Sequence, residues 1–181
     1  MSGRTAALAN PAPPVFPVAR RYPGPDVTRK TYILIAAGGS AALLAGAFLF
    51  QALGYSPCRM CLWQRWPHAA AIVIGAVALL ARGPLLPHLG ALATATTAAL
   101  GLYHTGVERD WWEGPASCTG SGLAGLSGGD LLSLDGPALV LCDQVAWSFL
   151  GLSMASWNAL FSALLILPWL LAARARGRSA T

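Results

Sequence analysis

Cys58 and Cys61 stand three positions apart in the run Ser56-Pro57-Cys58-Arg59-Met60-Cys61-Leu62-Trp63-Gln64-Arg65-Trp66-Pro67-His68. A Cys-x-x-Cys spacing suits redox chemistry, since two sulfurs this close can form and break a disulfide as they pass an electron pair. Ser56 is a good N-cap and Pro57 suits the first helical position, so the run predicts a helix start. Both cysteines then occupy the first turn, where the helix dipole favours a thiolate. Arg65 follows Cys61 by four residues, on the same helical face, and can stabilise that thiolate further. Gln64 and His68 lie roughly on that face as well.

The other two cysteines, Cys118 and Cys142, lie far apart within one later loop. A four-cysteine zinc site is one alternative, but a zinc knuckle needs its second pair closely spaced. Two inert disulfides stapling loops are another, although a staple gains little from an arginine and a helix N-terminus beside it. The redox reading uses all of these features, and no metal is expected.

The elements that must hold these residues are apolar. The 181-residue chain is 55% hydrophobic and 10% charged, against about 25% charged residues in an ordinary soluble domain. Its apolar residues fall into four blocks, at about 31–53, 62–81, 86–107 and 147–172, each near the roughly 20 residues that cross a bilayer core. This predicts an all-α membrane protein, a four-helix transmembrane bundle over 31–173, with no room for a sizeable soluble catalytic domain. Pro67 within the second block predicts a kink near Trp63.

Charge sets the expected orientation. Arg4, Arg20, Arg21, Arg29, Lys30, Arg82, Arg174, Arg176 and Arg178 fall on one side of the predicted bundle, which the positive-inside rule makes cytoplasmic. Both termini are then cytoplasmic, and all four cysteines face the opposite, oxidising side, where disulfides persist. The net charge of +5 thus reflects topology and excludes a nucleic-acid footprint. Residues 1–30, with six prolines, read as a disordered cytoplasmic tail, and 174–181 as a basic one. The first apolar block is too long for a signal-peptide core and reads as an uncleaved anchor.

The second outer loop, about 40 residues, is longer than structureless connections usually are. Cys118 follows Pro115-Ala116-Ser117, which suggests an extended, accessible setting, and Gly120 to Gly129 holds five glycines expected to be mobile. Leu131 to Leu141 is apolar but too short to span and should lie along the membrane surface. Among polar residues in the spans, Arg65 is a functional candidate. His68 is either a ligand-facing group or a packed core histidine. His104 and Glu108, four apart, are placed to pair, move protons or touch a cofactor, and Asn158 reads as interhelical glue.

Together these residues resemble the disulfide bond formation protein B (DsbB) family of quinone-linked thiol oxidases. The likeness rests on Pro57-Cys58-x-x-Cys61 with Arg65, on Tyr103-His104-Thr105-Gly106-Val107-Glu108, on the spaced Cys118/Cys142 pair and on Trp147-Ser148-Phe149-Leu150-Gly151-Leu152-Ser153-Met154. It covers about 31–172. The resemblance implies a bacterial inner-membrane enzyme with its cysteines on the periplasmic side and a short surface-lying helix in the second periplasmic loop. It implies that a Cys118–Cys142 disulfide oxidises a thioredoxin-fold, DsbA-like partner, with Cys118 forming the mixed disulfide. Electrons would then pass to Cys58–Cys61 by way of a transient Cys58–Cys142 bond. Cys61 would deliver them to ubiquinone or menaquinone from the membrane pool, through an adduct or charge-transfer complex, with Arg65 steadying thiolate and quinone oxygen. His104 and Glu108 are further candidates for the quinone.

For this family's partner the potential is an established value, near about −120 mV, against below about −300 mV for ordinary secreted disulfides. Re-oxidation by an ordinary disulfide would be uphill by about 8 kcal/mol, so an electron sink is required. A vitamin K epoxide reductase-like protein also combines four helices, a CxxC and a quinone, but there the CxxC follows the spaced pair. A non-enzymatic tetraspan protein with structural disulfides is the remaining alternative.

Overall fold

The computed structural model describes residues 28–118 and 140–175. Most of the expected N-terminal and basic C-terminal tails, the glycine-rich stretch and nearly all of the expected surface-lying segment lie outside these residues.

Four helices account for most of the described chain: α1 (Arg29–Ala52), α2 (Arg59–Leu80), α3 (Leu85–Glu108) and α4 (Met154–Arg174). They pack as a closed ring in which α1 touches α2, α2 touches α3, α3 touches α4 and α4 touches α1. α1, α3 and α4 are long and apolar enough to cross a membrane. α2 is of similar length but carries Arg59, Gln64, Arg65 and His68 in its first half.

The helix ends have local causes. Thr28 caps α1 by accepting from the Thr31 amide, which draws Arg29 and Lys30 into the first turn. Arg29 reaches across to the end of α2, donating to the carbonyls of Ala78 at 2.9 Å, Ala81 at 3.3 Å and Gly83 at 3.0 Å. Those carbonyls lack helical partners, so the guanidinium satisfies them. α2 runs as one helix through Pro67. Gly83, at φ +115°, makes the reversal into α3 in a conformation that side chains resist.

The expected fourth span begins differently. Ser148–Phe149 (β1) and Leu152–Ser153 (β2) pair antiparallel, joined by Leu150 and Gly151 at φ 51° and 76°. Two consecutive positive φ values make the tight turn that joins two strands. Helix α4 starts only at Met154, where the Ser153 side chain accepts from the Ser156 amide.

Trp169 is fully buried at the core of the ring, in a cluster with Ile33, Ala36, Ala71, Ala78, Ala91 and Ala172. α3 comes close enough to admit it because position 90 is glycine. A Cβ there would lie 2.7 Å from three indole atoms. Gly90→Ala is expected to cost about 1–3 kcal/mol through overpacking, read as a lower midpoint in thermal unfolding. An unchanged midpoint would show that the indole has room to move. Gly101 has a similar place in the α3–α4 contact, where a Cβ would meet the Ala159 nitrogen at 3.0 Å and the Ala155 carbonyl at 3.1 Å.

Candidate functional site

The cysteine pair opens α2, but Ser56 does not cap it. Cys58 is the N-cap: its sulfur accepts from the Cys61 amide at 3.1 Å. The expected start lies two residues too early, because a thiol can fill the place normally given to a hydroxyl. Capping brings the two sulfurs to 2.7 Å, with the Cys58 thiol donating to Cys61. Both cysteines line a cavity, Cys58 buried and Cys61 partly exposed. The Cys58 thiol is pushed well above its ordinary range because it donates its proton to Cys61 and because it is buried. Cys58 therefore keeps its proton, and Cys61 is the sulfur placed to carry charge.

Cys118 and Cys142 form a disulfide with Cα atoms 5.2 Å apart. The expected extended, accessible setting of Cys118 is not what the chain adopts. Its amide donates to the Pro115 carbonyl at 2.8 Å, closing a turn, and the Cys142 amide donates to the Cys118 carbonyl at 2.7 Å. Both residues are buried, and they join Cys58, Met60 and Val107 in one apolar cluster against which Cys61 packs. Dithiol and disulfide are thus neighbours in space.

The cavity beside Cys61 measures about 440 Å³ and is bounded mainly by apolar side chains of α1, α4 and the β1–β2 turn region, Phe50, Trp147 and Phe161 among them. Its polar wall is formed by Gln64, Arg65, His68, His104, Glu108 and Asn158. Arg65 faces α1: it donates to Gln51 Oε1 at 2.8 Å and to the Ala47 carbonyl at 3.5 Å, and its guanidinium lies 4.7 Å from the centre of the Phe48 ring. Among the described residues it makes no hydrogen bond to Cys61, and its buried Nε has no partner. Arg65 and Cys61 therefore share the cavity without touching through a hydrogen bond.

His104 is placed against the dithiol, its Nε2 3.6 Å from Cys58 Sγ. Glu108 lies one turn on, with Oε1 3.9 Å from the same nitrogen and Oε2 accepting from Ser153 Oγ. His68 is buried and hydrogen-bonded to Asn158, and its Nδ1 has no partner among the described residues. Ligand atoms of Cys58, Cys61 and His104 lie within 4.8 Å of one another, a grouping that reading the cysteines as two separate pairs did not suggest. The sequence reading also missed Gln51, which anchors Arg65, and Ser153, which holds Glu108. A glutamine in the last turn of an otherwise apolar span was the available signal for the first.

The profile of the family described as disulfide bond formation protein DsbB matches residues 29–172. Similar curated proteins include two named disulfide bond formation protein B. One, from Azoarcus sp. (strain BH72), is 30% identical over 165 residues, covering 83% of this chain and 96% of its own. The other, from Verminephrobacter eiseniae (strain EF01-2), is 37% identical over 158 residues, covering 82% and 87%. No solved structure is a significant match.

Proposed function

Because the chain belongs to the DsbB family of disulfide bond formation proteins, we propose that it re-oxidises a thioredoxin-fold, DsbA-like dithiol partner and passes the electrons through its two cysteine pairs to a membrane quinone. All four helices then span the bacterial inner membrane, α2 with its polar first half turned to the cavity, and the cysteines face the periplasm. The observation that carries this reading is the packing of a buried disulfide against a dithiol that lines an apolar cavity, Cys61 being its partly exposed member.

The cavity suits a quinone. Its volume lies in the range of small-molecule sites, and its wall is apolar with a few polar groups at one end. Among the described residues, Arg65 Nε is a buried donor without a partner and His68 Nδ1 a buried ring nitrogen without one. Such atoms match a ligand that accepts hydrogen bonds at oxygen when oxidised and donates them when reduced. A bound quinone would supply the two-electron sink that a chain of disulfides lacks. Cys61, Arg65, His68, His104 and Glu108 are the residues that would hold it.

The remaining steps belong to the cysteines. A partner thiolate attacks Cys118, forming a mixed disulfide and releasing Cys142 as a thiolate. The partner's second thiolate then displaces Cys118, so one disulfide forms in the partner and one breaks here. Cys142 then attacks Cys58 of a Cys58–Cys61 disulfide, releasing Cys61 as a thiolate, and Cys118 displaces Cys58 from Cys142, so the Cys118–Cys142 bond re-forms, the Cys58–Cys61 bond breaks and the electron pair is left on the Cys58/Cys61 dithiol. Cys58 retains its proton, so the charge resides on Cys61 at the cavity wall.

A partner whose second active-site cysteine is replaced by alanine halts the first exchange at the mixed disulfide. The expected product is a covalent complex through Cys118 with wild-type protein and none with Cys118→Ala, read on a non-reducing gel. Equal yields from both proteins would contradict the assignment.

A further inference from the structure

The dithiol stands at one end of a line of hydrogen bonds that crosses the helix ring, and the direction of each bond follows from atoms that only donate or only accept. His68 Nε2 lies 2.9 Å from Asn158 Oδ1, an acceptor, so Nε2 carries the ring proton. Asn158 Nδ2 donates to Gln64 Oε1 at 2.7 Å. Gln64 Nε2 donates to His104 Nδ1 at 3.0 Å and also to the Met60 carbonyl at 3.1 Å. Because that carbonyl only accepts, it pins the amide with its nitrogen on the His104 side. His104 Nδ1 is thus an acceptor, and its proton is on Nε2, the nitrogen 3.6 Å from Cys58 Sγ. Cys58 in turn donates to Cys61 at 2.7 Å.

Five donors therefore follow one another head to tail from His68 to Cys61. Thr97 holds the middle of the line: its hydroxyl donates to the Gln64 carbonyl at 3.2 Å and accepts from Asn158 Nδ2 at 3.3 Å. Gln64, His68 and His104 are each buried. Hydrogen bonds aligned this way in a low-dielectric interior polarise one another, with the positive end of each aimed at the last acceptor. His104 presents an N–H to the sulfurs where a metal would require a lone pair, so its closeness to Cys58 and Cys61 reads as hydrogen bonding.

We propose that His68, Asn158 and Gln64 are positioning residues that hold His104 in its Nε2–H form, so that this N–H donates to Cys58 Sγ and favours the singly charged form of the reduced pair. The inference rests on the redox reading of Cys58 and Cys61 and makes no use of the quinone or the partner protein.

The test uses the full chain, reduced, in nanodiscs with neither quinone nor partner added. Iodoacetamide alkylation at neutral pH, mapped by peptide, reports which sulfur is the thiolate. Asn158→Leu cuts the line, and alkylation of Cys61 is expected to slow about fivefold, the loss of about one hydrogen bond, with no rise in the share at Cys58. Ser162→Ala removes a hydroxyl that touches the same Asn158 oxygen from off the line, and its alkylation is expected to match wild type. Nitrogen-15 shifts of His104 give a second readout: protonated at Nε2 in wild type, and at either nitrogen in Asn158→Leu. Wild-type Cys61 reactivity in a folded Asn158→Leu protein would overturn the proposal. So would a wild-type His104 protonated at Nδ1, a result that needs no variant to fold. Because no quinone or partner is present, either outcome is independent of the proposed reaction.

Discussion

Replacing Cys61 with serine is expected to reduce quinone-dependent oxidation of the partner to background, a loss on the order of 10³-fold or more, as for removal of an essential nucleophile. The size of the loss follows from position. Both cysteines border the cavity, but Cys61 is the partly exposed member of the dithiol, and Cys58 is buried as the helix cap. Serine can fill the space but has no accessible anion and cannot form a disulfide. The Cys118–Cys142 bond does not involve Cys61, so the variant should still oxidise one partner molecule per chain before it stops. Cys118→Ser is expected to lose that single exchange as well. A Cys61→Ser protein that turned over repeatedly at the wild-type rate would remove Cys61 from the path.

The second large effect is expected at Arg65. Its guanidinium is held by Gln51, the Ala47 carbonyl and the Phe48 ring, and its Nε remains as a buried donor without a partner among the described residues. Hydrogen bonds to charged groups contribute about 1.5–3 kcal/mol. Arg65→Ala should therefore raise the quinone KM about tenfold to a hundredfold, with the KM for the partner unchanged. Lysine should rescue poorly, because it lacks the planar fork that engages α1 and has no Nε donor. Gln51→Leu, which frees the guanidinium but keeps the charge, should fall between. A quinone KM and rate unchanged in Arg65→Ala would exclude it from the site.

Much of the helical framework was legible because apolar runs of this length leave few alternatives. α1 and α3 begin and end within two residues of the expected limits, and the small shifts come from caps such as Thr28. The start of α4 was not legible. Trp147 to Met154 reads as a continuous apolar lead-in, yet Leu150 and Gly151 take left-handed conformations and turn the chain back on itself. Periodicity does not reveal such a turn within a run of hydrophobic residues.

At the site, residue types were easier to read than contacts. The sequence brought Cys58, Cys61 and Arg65 to one helix, but helical spacing alone does not say that Cys58 supplies the cap or that Arg65 turns to Gln51. Cys118 looked accessible because a proline, a small residue and a serine precede it, whereas the disulfide and a tight turn bury it. Asn158 was recognisable as a polar residue seeking an interhelical partner. That it joins His68 to Gln64, and through it to His104, depends on three helices meeting at one level. Contacts between distant parts of the chain carry no local signature, so only the fold could supply them.

On the proposed mechanism, electrons from a partner dithiol leave this chain through Cys61 to a quinone. The most direct test is an anaerobic reaction of the wild-type protein in nanodiscs with an excess of reduced thioredoxin-fold partner and a measured amount of added quinone, following quinone absorbance and partner thiols together. The expected result is one partner disulfide formed for each quinone reduced, continuing until the quinone is spent. Partner oxidation that stops after at most two disulfides per protein chain, one for each cysteine pair, with the quinone absorbance unchanged, would contradict it.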